Sequence, residues 1–319
     1  MPIETPAPAV PFSFEIYPPR HPEGMPALRE TIGHLAAAGP QFISVTFGAG
    51  GSTTDRSLEV LTHILRTTSV PPLAHLTCVG STYADATHVI RTFLDAGITR
   101  FLALRGDPPV GAIEGEPFLG DLESAAQLVQ LIDRVQAERA AYAERDIPGV
   151  PGAASVVAPT KVEISVAAFP NGHPRSRHRF EDIDALLAKQ AAGARSAITQ
   201  LFFRAEEYLD FVGRARAEGV TIPILPGIMP LTSPSRLRRV LELTGDPRPT
   251  EFADALERAS DAATARRIGI AHASSLARDV VSGGAPGIHL YAFNNHETVL
   301  AVLRDADLAP HLTTQEISA

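Results

Sequence analysis

The sequence predicts an α/β fold, a single (β/α)8 barrel, on two observations. Eight short apolar segments alternate with longer amphipathic ones almost from end to end, and polar or charged residues recur at the C-terminal ends of the apolar segments. Strands separated by helices must run parallel, because only a long crossover can return the chain in the same direction. Eight parallel strands are the count that closes a barrel. Such a barrel builds its active site at one face, from the strand C-termini.

The elements follow in order. The first strand, near 12–17, alternates strictly. Ser13, Glu15 and Tyr17 share one face and Phe12, Phe14 and Ile16 the other, so the apolar face meets the helices and the polar face looks into the barrel. A helix at 24–38 leads to a strand at 41–46, where Ser44 and Thr46 repeat the inward polar pattern. The next helix, at 54–67, has Ser52, Thr53, Thr54 and Asp55 as capping candidates. The strand at 73–78 carries His75 and Thr77 inward and is followed by a helix at 83–96, a strand at 100–104 and a long helix at 120–144. Residues 147–160, rich in Pro, Gly and Ala, read as a loop or insert. Then come strand 161–167, helix 180–193, strand 196–202, helix 205–218 and strand 222–226. Pro226-Gly227-Ile228-Met229-Pro230 is expected as a bend after that seventh strand. Helices at 234–244, 250–258 and 262–282 precede the last strand, 287–292, and a closing helix at 295–304. The expected organisation is a tail at 1–11, one barrel at 12–304 and a tail at 305–319.

Composition narrows the function. With 45% hydrophobic and 20% charged residues, 319 residues can bury a full core. A net charge of −8 with no basic block argues against duplex nucleic acid, which needs clustered Lys and Arg. Cys78 is the only cysteine, which excludes an internal disulfide and multi-cysteine metal sites. Met1–Val10 lacks the charged and apolar regions of a signal peptide, and no apolar run reaches the roughly 18 residues of a membrane helix. A cytoplasmic location without a membrane partner is expected. His, Asp and Glu do not cluster at metal-ligand spacing, and there is no nucleophile elbow.

Inward polar groups near strand ends are costly unless solvated, paired or in use. Glu15 reads either as a general acid, its carboxyl raised in pKa between Phe14 and Ile16, or as a buried partner of an arginine such as Arg105. Arg105-Gly106-Asp107 can present a guanidinium and a carboxylate to one ligand, or form a salt-bridged turn. Thr46-Phe47-Gly48-Ala49-Gly50-Gly51 is a tight turn with only weak phosphate-loop character. His75 reads as a satisfied core histidine or a ligand contact. Gln200, at the end of its strand, carries an amide that both donates and accepts, or ties two strands together. Asp182 and Lys189 lie seven residues apart, two turns along one helix face. Lys161 and Lys189 are the only lysines.

Taken together, Phe14-Glu15 with Pro18-Pro19-Arg20, Thr46-Phe47-Gly48-Ala49, His75, Arg105-Gly106-Asp107, Gln200 and His289-Leu290-Tyr291-Ala292-Phe293-Asn294-Asn295 resemble the methylenetetrahydrofolate reductase family, from about Phe12 to about Leu303. The resemblance implies flavin-dependent reduction of 5,10-methylenetetrahydrofolate to 5-methyltetrahydrofolate by NADH or NADPH, in ping-pong order, supplying methyl groups for methionine synthesis. It implies FAD as cofactor and a homo-oligomer. Glu15 would protonate N10 of the folate, and Asp107 would stand beside flavin and pterin, stabilising the cation. Thr46 would meet the nicotinamide. Phe47, Ala49, His75, Arg105 and Gly106 would meet the flavin, while Phe169, His173, Asp182 and Lys189 would hold its adenosine diphosphate arm. Gln200 would touch folate and nicotinamide in turn. Departures fall at Phe47 and Phe169, where the family often has Tyr, at Ala185 and Ala188, where it has Asn and Arg, and at Asn295, where bacterial relatives have Arg toward the folate tail. Ala185, Ala188 and Phe169 keep an FAD-independent reductase in view. A flavin-free lyase or a non-catalytic folate-binding protein fits the motifs less well. At this length the regulatory C-terminal domain of eukaryotic relatives is not expected.

Overall fold

A computed structural model describes residues 10–47, 51–107, 118–139, 142–144, 154–156, 161–174, 176, 178 and 180–309. The chain opens with β1 (Phe12–Ile16), a 3-10 turn at Pro22–Gly24 and α1 (Met25–Ala37). It continues through β2 (Ile43–Val45), α2 (Gly51–Thr67), β3 (Pro72–Thr77), α3 (Tyr83–Asp95), β4 (Arg100–Leu104) and α4 (Ala125–Glu138). A short pair, β5 (Tyr142–Glu144) and β6 (Ala154–Val156), precedes β7 (Glu163–Ala168), α5 (Glu181–Ala191), β8 (Ser196–Thr199) and α6 (Ala205–Ala217). Then come β9 (Ile224–Leu225), β10 (Gly227–Ile228), α7 (Pro234–Thr244), α8 (Thr250–Glu257), α9 (Ala262–Ser282), β11 (Ile288–Tyr291) and α10 (His296–Asp305).

The barrel closes through a proline. The main sheet runs β10-β11-β1-β2-β3-β4-β7-β8-β9, with every ladder parallel. Its two terminal strands are halves of one stave, separated by Pro226 alone, so the ring has eight staves. Pro226 has no N–H for the ladder, but its carbonyl accepts from His289 N at 2.9 Å. The expected bend after the seventh strand is therefore a break inside it. Gly227 suits this place for a spatial reason. Its N–H donates to Thr199 Oγ1 at 2.8 Å, and a Cβ there would collide with Thr199 O and the Tyr291 ring.

Two other expectations need correction. The helix expected at 120–144 ends at Glu138, and Tyr142–Glu144 pairs antiparallel with Ala154–Val156 inside the stretch read as a loop. Ala143 favours helix locally, and the ladder overrides that propensity. Helix α2 begins at Gly51, so Ser52, Thr53, Thr54 and Asp55 stand inside its first turns rather than before them.

Alternation places two cores. Phe14, Ile16, Ile43, Val45, Phe101, Ala103, Ile164 and Val166 point outward and join the buried faces of the surrounding helices in one large cluster. Each Phe, Ile and Val among them contributes about 1.5–3 kcal/mol when fully buried. Inside the barrel a small layer of Phe42, Leu73, Leu102, Ile198 and Leu225 fills the axis, with Leu104 against it. Two residues further along their strands stand Ser44, His75 and Gln200, so the apolar layer is the floor of a polar mouth.

Candidate active site

Parallel register carries the candidate residues to one end of six consecutive staves. Glu15 is next to last in β1, Thr46 follows β2, His75 lies in β3, Arg105-Gly106-Asp107 follow β4, Phe169 follows β7 and Gln200 follows β8. Glu15 is the centre. It lies opposite Ser44 on β2 and Tyr291 on β11. Its Oε2 is 3.5 Å from His75 Nε2 and 3.6 Å from His289 Nε2, and its side chain keeps 17% of its surface exposed. Both imidazoles are buried, and neither Nε2 has a hydrogen-bond partner; Ser44 Oγ is likewise without one.

The electrostatics invert one expectation. Burial pushes the Glu15 carboxyl up, but His75, His289 and the Ser44 hydroxyl together outweigh it and hold the carboxyl below its ordinary value. The acid is thus an anion at neutral pH in the free protein, not a retained proton. Burial depresses His75 further than Glu15 raises it, with His289 adding to the depression, so its imidazole is neutral. Arg105 is not the partner of Glu15. Its guanidinium reaches His173 Nε2 at 3.3 Å.

Gly106 has φ +84°, and a Cβ there would press on Val79 and Thr77, so only glycine fits between Arg105 and Asp107. Asp107 stands exposed at the mouth. Thr46 is half-buried, its carbonyl accepting from Ser57 Oγ at 3.0 Å. Phe47 turns its ring edge-on to Phe93 at 6.5 Å. Gln200 Oε1 accepts from Leu201 N at 3.0 Å, which directs the amide group's donors elsewhere. Ala49 lies outside the described residues.

A second group gathers beside the mouth. Phe169 meets His173 edge to face at 4.8 Å. The Asp182 carboxylate accepts from His173 N at 3.2 Å and from Ser176 Oγ at 2.9 Å, pinning the loop. Lys189 Nζ donates to Ala167 O at 2.8 Å and lies 5.9 Å from the Phe169 ring centre. Burial pulls Lys189 down to about 8, against the pull of Asp182 and with the help of Arg105. A lysine so destabilised beside an arginine and a histidine is a site that an anion would relieve. The donor set therefore fits a diphosphate. Ala185 and Ala188, exposed on the same helix, add no polar partner.

Sequence reasoning missed two contributors. His289 carried only a family match, although period two in Ile288-His289-Leu290-Tyr291 points it inward beside Tyr291. Asn294 was unassigned. Phe293 and Asn294 have φ of 50° and 55°, a left-handed pair that costs about 1–2 kcal/mol per residue. The Asn294 side chain holds them by accepting from Tyr17 N at 3.0 Å and donating to Tyr17 O at 2.8 Å. Asn295 is committed as the N-cap of α10, accepting from Thr298 N at 2.9 Å. No helix among the described residues is long and apolar enough to cross a membrane, and no group of three or more His, Cys, Asp or Glu among them could hold a metal ion.

Comparison with known proteins agrees with this architecture. A structure from Clostridium thermocellum, described as an uncharacterized protein that binds two copies of 5-methyl-5,6,7,8-tetrahydrofolic acid, superimposes with a TM-score of 0.60 at 12% identity over 95% of this chain and 96% of that one. At that identity the likeness is one of fold. The 5,10-methylenetetrahydrofolate reductase of Escherichia coli is 30% identical over 301 residues, 94% of this chain and 92% of that protein. Methylenetetrahydrofolate reductase (NADH) 1 of Zea mays is 32% identical over 307 residues, 93% of this chain, but the match spans only 48% of the maize protein. The chain thus spans about half the length of the plant relatives. The profile of the family described as methylenetetrahydrofolate reductase matches residues 5–307, and with these relatives it shows that the chain belongs to the methylenetetrahydrofolate reductase family.

Proposed function

We propose that this protein reduces 5,10-methylenetetrahydrofolate to 5-methyltetrahydrofolate with NADH or NADPH, and that it does so with FAD. The observation that carries the reading is the Glu15 carboxylate at the mouth of the barrel, set between the imidazoles of His75 and His289, in a chain of this family. Opening the folate's five-membered ring requires a proton on N10, which leaves a 5-iminium cation whose carbon then accepts hydride. Glu15 is the residue to deliver that proton. Substrate covering the mouth removes the remaining solvent from its carboxyl and favours the protonated form. Asp107, exposed beside it, balances the cation that follows. Gln200 offers its amide donors first to the nicotinamide carboxamide and then to the pterin edge.

Arg105, His173, Asp182 and Lys189 would hold the cofactor's diphosphate arm, and Thr46, Phe47, His75 and Gly106 would line its ring. When bound, FAD supplies the hydride-accepting and hydride-donating chemistry that links the two substrates at one face. The exposed Ala185 and Ala188 favour a second reading, reduction without FAD, because they leave the arm short of contacts. The maize relative, a methylenetetrahydrofolate reductase (NADH), and the methyltetrahydrofolate bound by the clostridial protein support the choice of substrates.

The test separates the half-reactions. In Glu15→Gln, NADH consumption with an artificial electron acceptor stays near the wild-type rate, while conversion of methylenetetrahydrofolate falls by a factor of 100 or more, about 3 kcal/mol in barrier. Equal loss of both, at normal cofactor content, contradicts the role of Glu15.

A further inference from the structure

The rim of the mouth carries a cation that the chemistry at Glu15 does not use. Arg236 stands in the first turn of α7, where Ser233 is the N-cap and its hydroxyl accepts from Arg236 N at 3.3 Å. Its side chain is exposed and folds over the face of Phe293, with the guanidinium carbon 5.4 Å from the ring centre. Among the described residues no carboxylate pairs with it, whereas Arg239, one turn on, is paired with Glu242 at 3.2 Å. A cation in the first turn opposes the helix dipole, and that turn holds no acidic residue to offset it. Arg236 is therefore not placed to stabilise its own helix.

The ledge beneath Arg236 is held by its neighbours. Phe293 and Asn294 are the left-handed pair after β11, and Asn294 bonds both the N–H and the carbonyl of Tyr17. Tyr17, with 43% of its surface exposed, donates its hydroxyl to Phe293 O at 3.4 Å. Three staves meet here: the first through Tyr17, the seventh through α7 and the eighth through Phe293. Tyr17 and Phe293 each stand two residues beyond a ladder pair, Glu15 and Tyr291. The rim they form thus lies at most about 7 Å outward from the level of the acid.

That distance suits the substrate. In a folate N10 carries a benzoyl group, and the glutamate with its two carboxylates hangs from the far side of that ring. A substrate with N10 at Glu15 brings its tail to the rim once one benzene ring has been crossed. An arginine presents a planar fork of donors to a carboxylate, and here its stem is already laid on the aromatic ring beneath it.

We propose that Arg236, laid on Phe293, binds a carboxylate of the substrate's glutamate tail and so makes the protein select folates that carry glutamate over the bare pteroate. The proposal rests on the reading of this mouth as a folate site and adds a specificity-determining residue to it. Arg236 acts on binding rather than on the chemical step, because it stands a benzoyl length from the reacting atoms and the tail bears the same charge before and after reduction.

The test measures binding of two probes to the full-length protein by calorimetry: 5-methyltetrahydrofolate, and 5-methyltetrahydropteroate, which lacks the glutamate. Wild type holds the folate about tenfold more tightly than the pteroate, and Arg236→Ala removes that difference by weakening the folate alone. Arg236→Lys, which keeps the charge without the planar fork, recovers part of it. The difference also shrinks as salt is raised, since the pair is exposed. In turnover, Arg236→Ala raises KM for methylenetetrahydrofolate about tenfold with kcat held within about twofold. A residue with only a structural role would lower the melting temperature and weaken both probes alike. Equal loss of both probes, or loss of neither, overturns the proposal. If the wild-type protein binds the folate through Arg236 but makes no methylfolate, the assignment stands and the proposed reaction falls; if it binds neither probe, both fall.

Discussion

At Glu15 the balance between burial and two flanking imidazoles decides what the residue can do. A carboxylate held low is a poor acid in the free protein and becomes a useful one only when a ligand displaces solvent, which couples protonation to substrate binding. That inward position was legible from the alternation of Ser13, Glu15 and Tyr17 against Phe12, Phe14 and Ile16. Its partners were not legible, because His289 is 276 residues from Ser13 and meets it only once the barrel closes. The expectation of a raised pKa failed for the same reason: apolar neighbours in sequence point away from the carboxyl, and the polar ones come from other strands. Lys189 carries a separate prediction. Its ammonium is destabilised by burial, so Lys189→Met leaves the melting temperature equal to or slightly above wild type at pH 7, whereas FAD affinity drops about 5- to 150-fold for a lost charge-assisted contact. Calorimetry and flavin titration on the same sample check both halves. A clear loss of stability with unchanged FAD affinity would contradict the assignment.

Among the elements, the seventh stave governs closure. β9 and β10 give only two residues each to the ladder, and Pro226 between them contributes a carbonyl but no N–H. Gly227 is the point where Thr199 and Tyr291 press closest on the backbone. Gly227→Ala is therefore expected to cost about 1–3 kcal/mol by overpacking, read from chemical denaturation, and to disturb Tyr291, whose hydroxyl donates to Thr199 O at 2.9 Å. Because Tyr291 abuts His289, the variant also slows folate reduction. A neutral effect on both would place the constraint elsewhere. The sequence pattern located all eight staves, since each is a short apolar run between helices. It misread the ends of two elements. A residue such as Ala143 carries helix propensity whatever the chain does, and the β5–β6 pairing is decided by contact with a segment twelve residues on.

For the whole molecule, a barrel with a polar upper interior is sensitive to acid. His75 and His272 are held neutral chiefly by burial, below the ordinary histidine value of 6.5. In the unfolded chain they protonate first as pH falls, so the unfolded state binds more protons and stability declines through that range, by at most about 1.4 kcal/mol per pH unit for each imidazole. Glu15, depressed in the fold, adds stability above its ordinary value of 4.5 that is lost as pH falls through its folded value. Both effects have one sign. Denaturation midpoints should fall as pH is lowered from about 7 through the ordinary histidine value of 6.5, and a flat or rising profile there would contradict this account of the interior. The central claim is that one mouth serves nicotinamide and folate in turn through a flavin, and its most direct measurement is the absorption spectrum of the purified protein under anaerobic conditions. The account predicts a flavin band that bleaches on addition of NADH and returns on addition of methylenetetrahydrofolate. A colourless protein that stays inactive when FAD is added would contradict it.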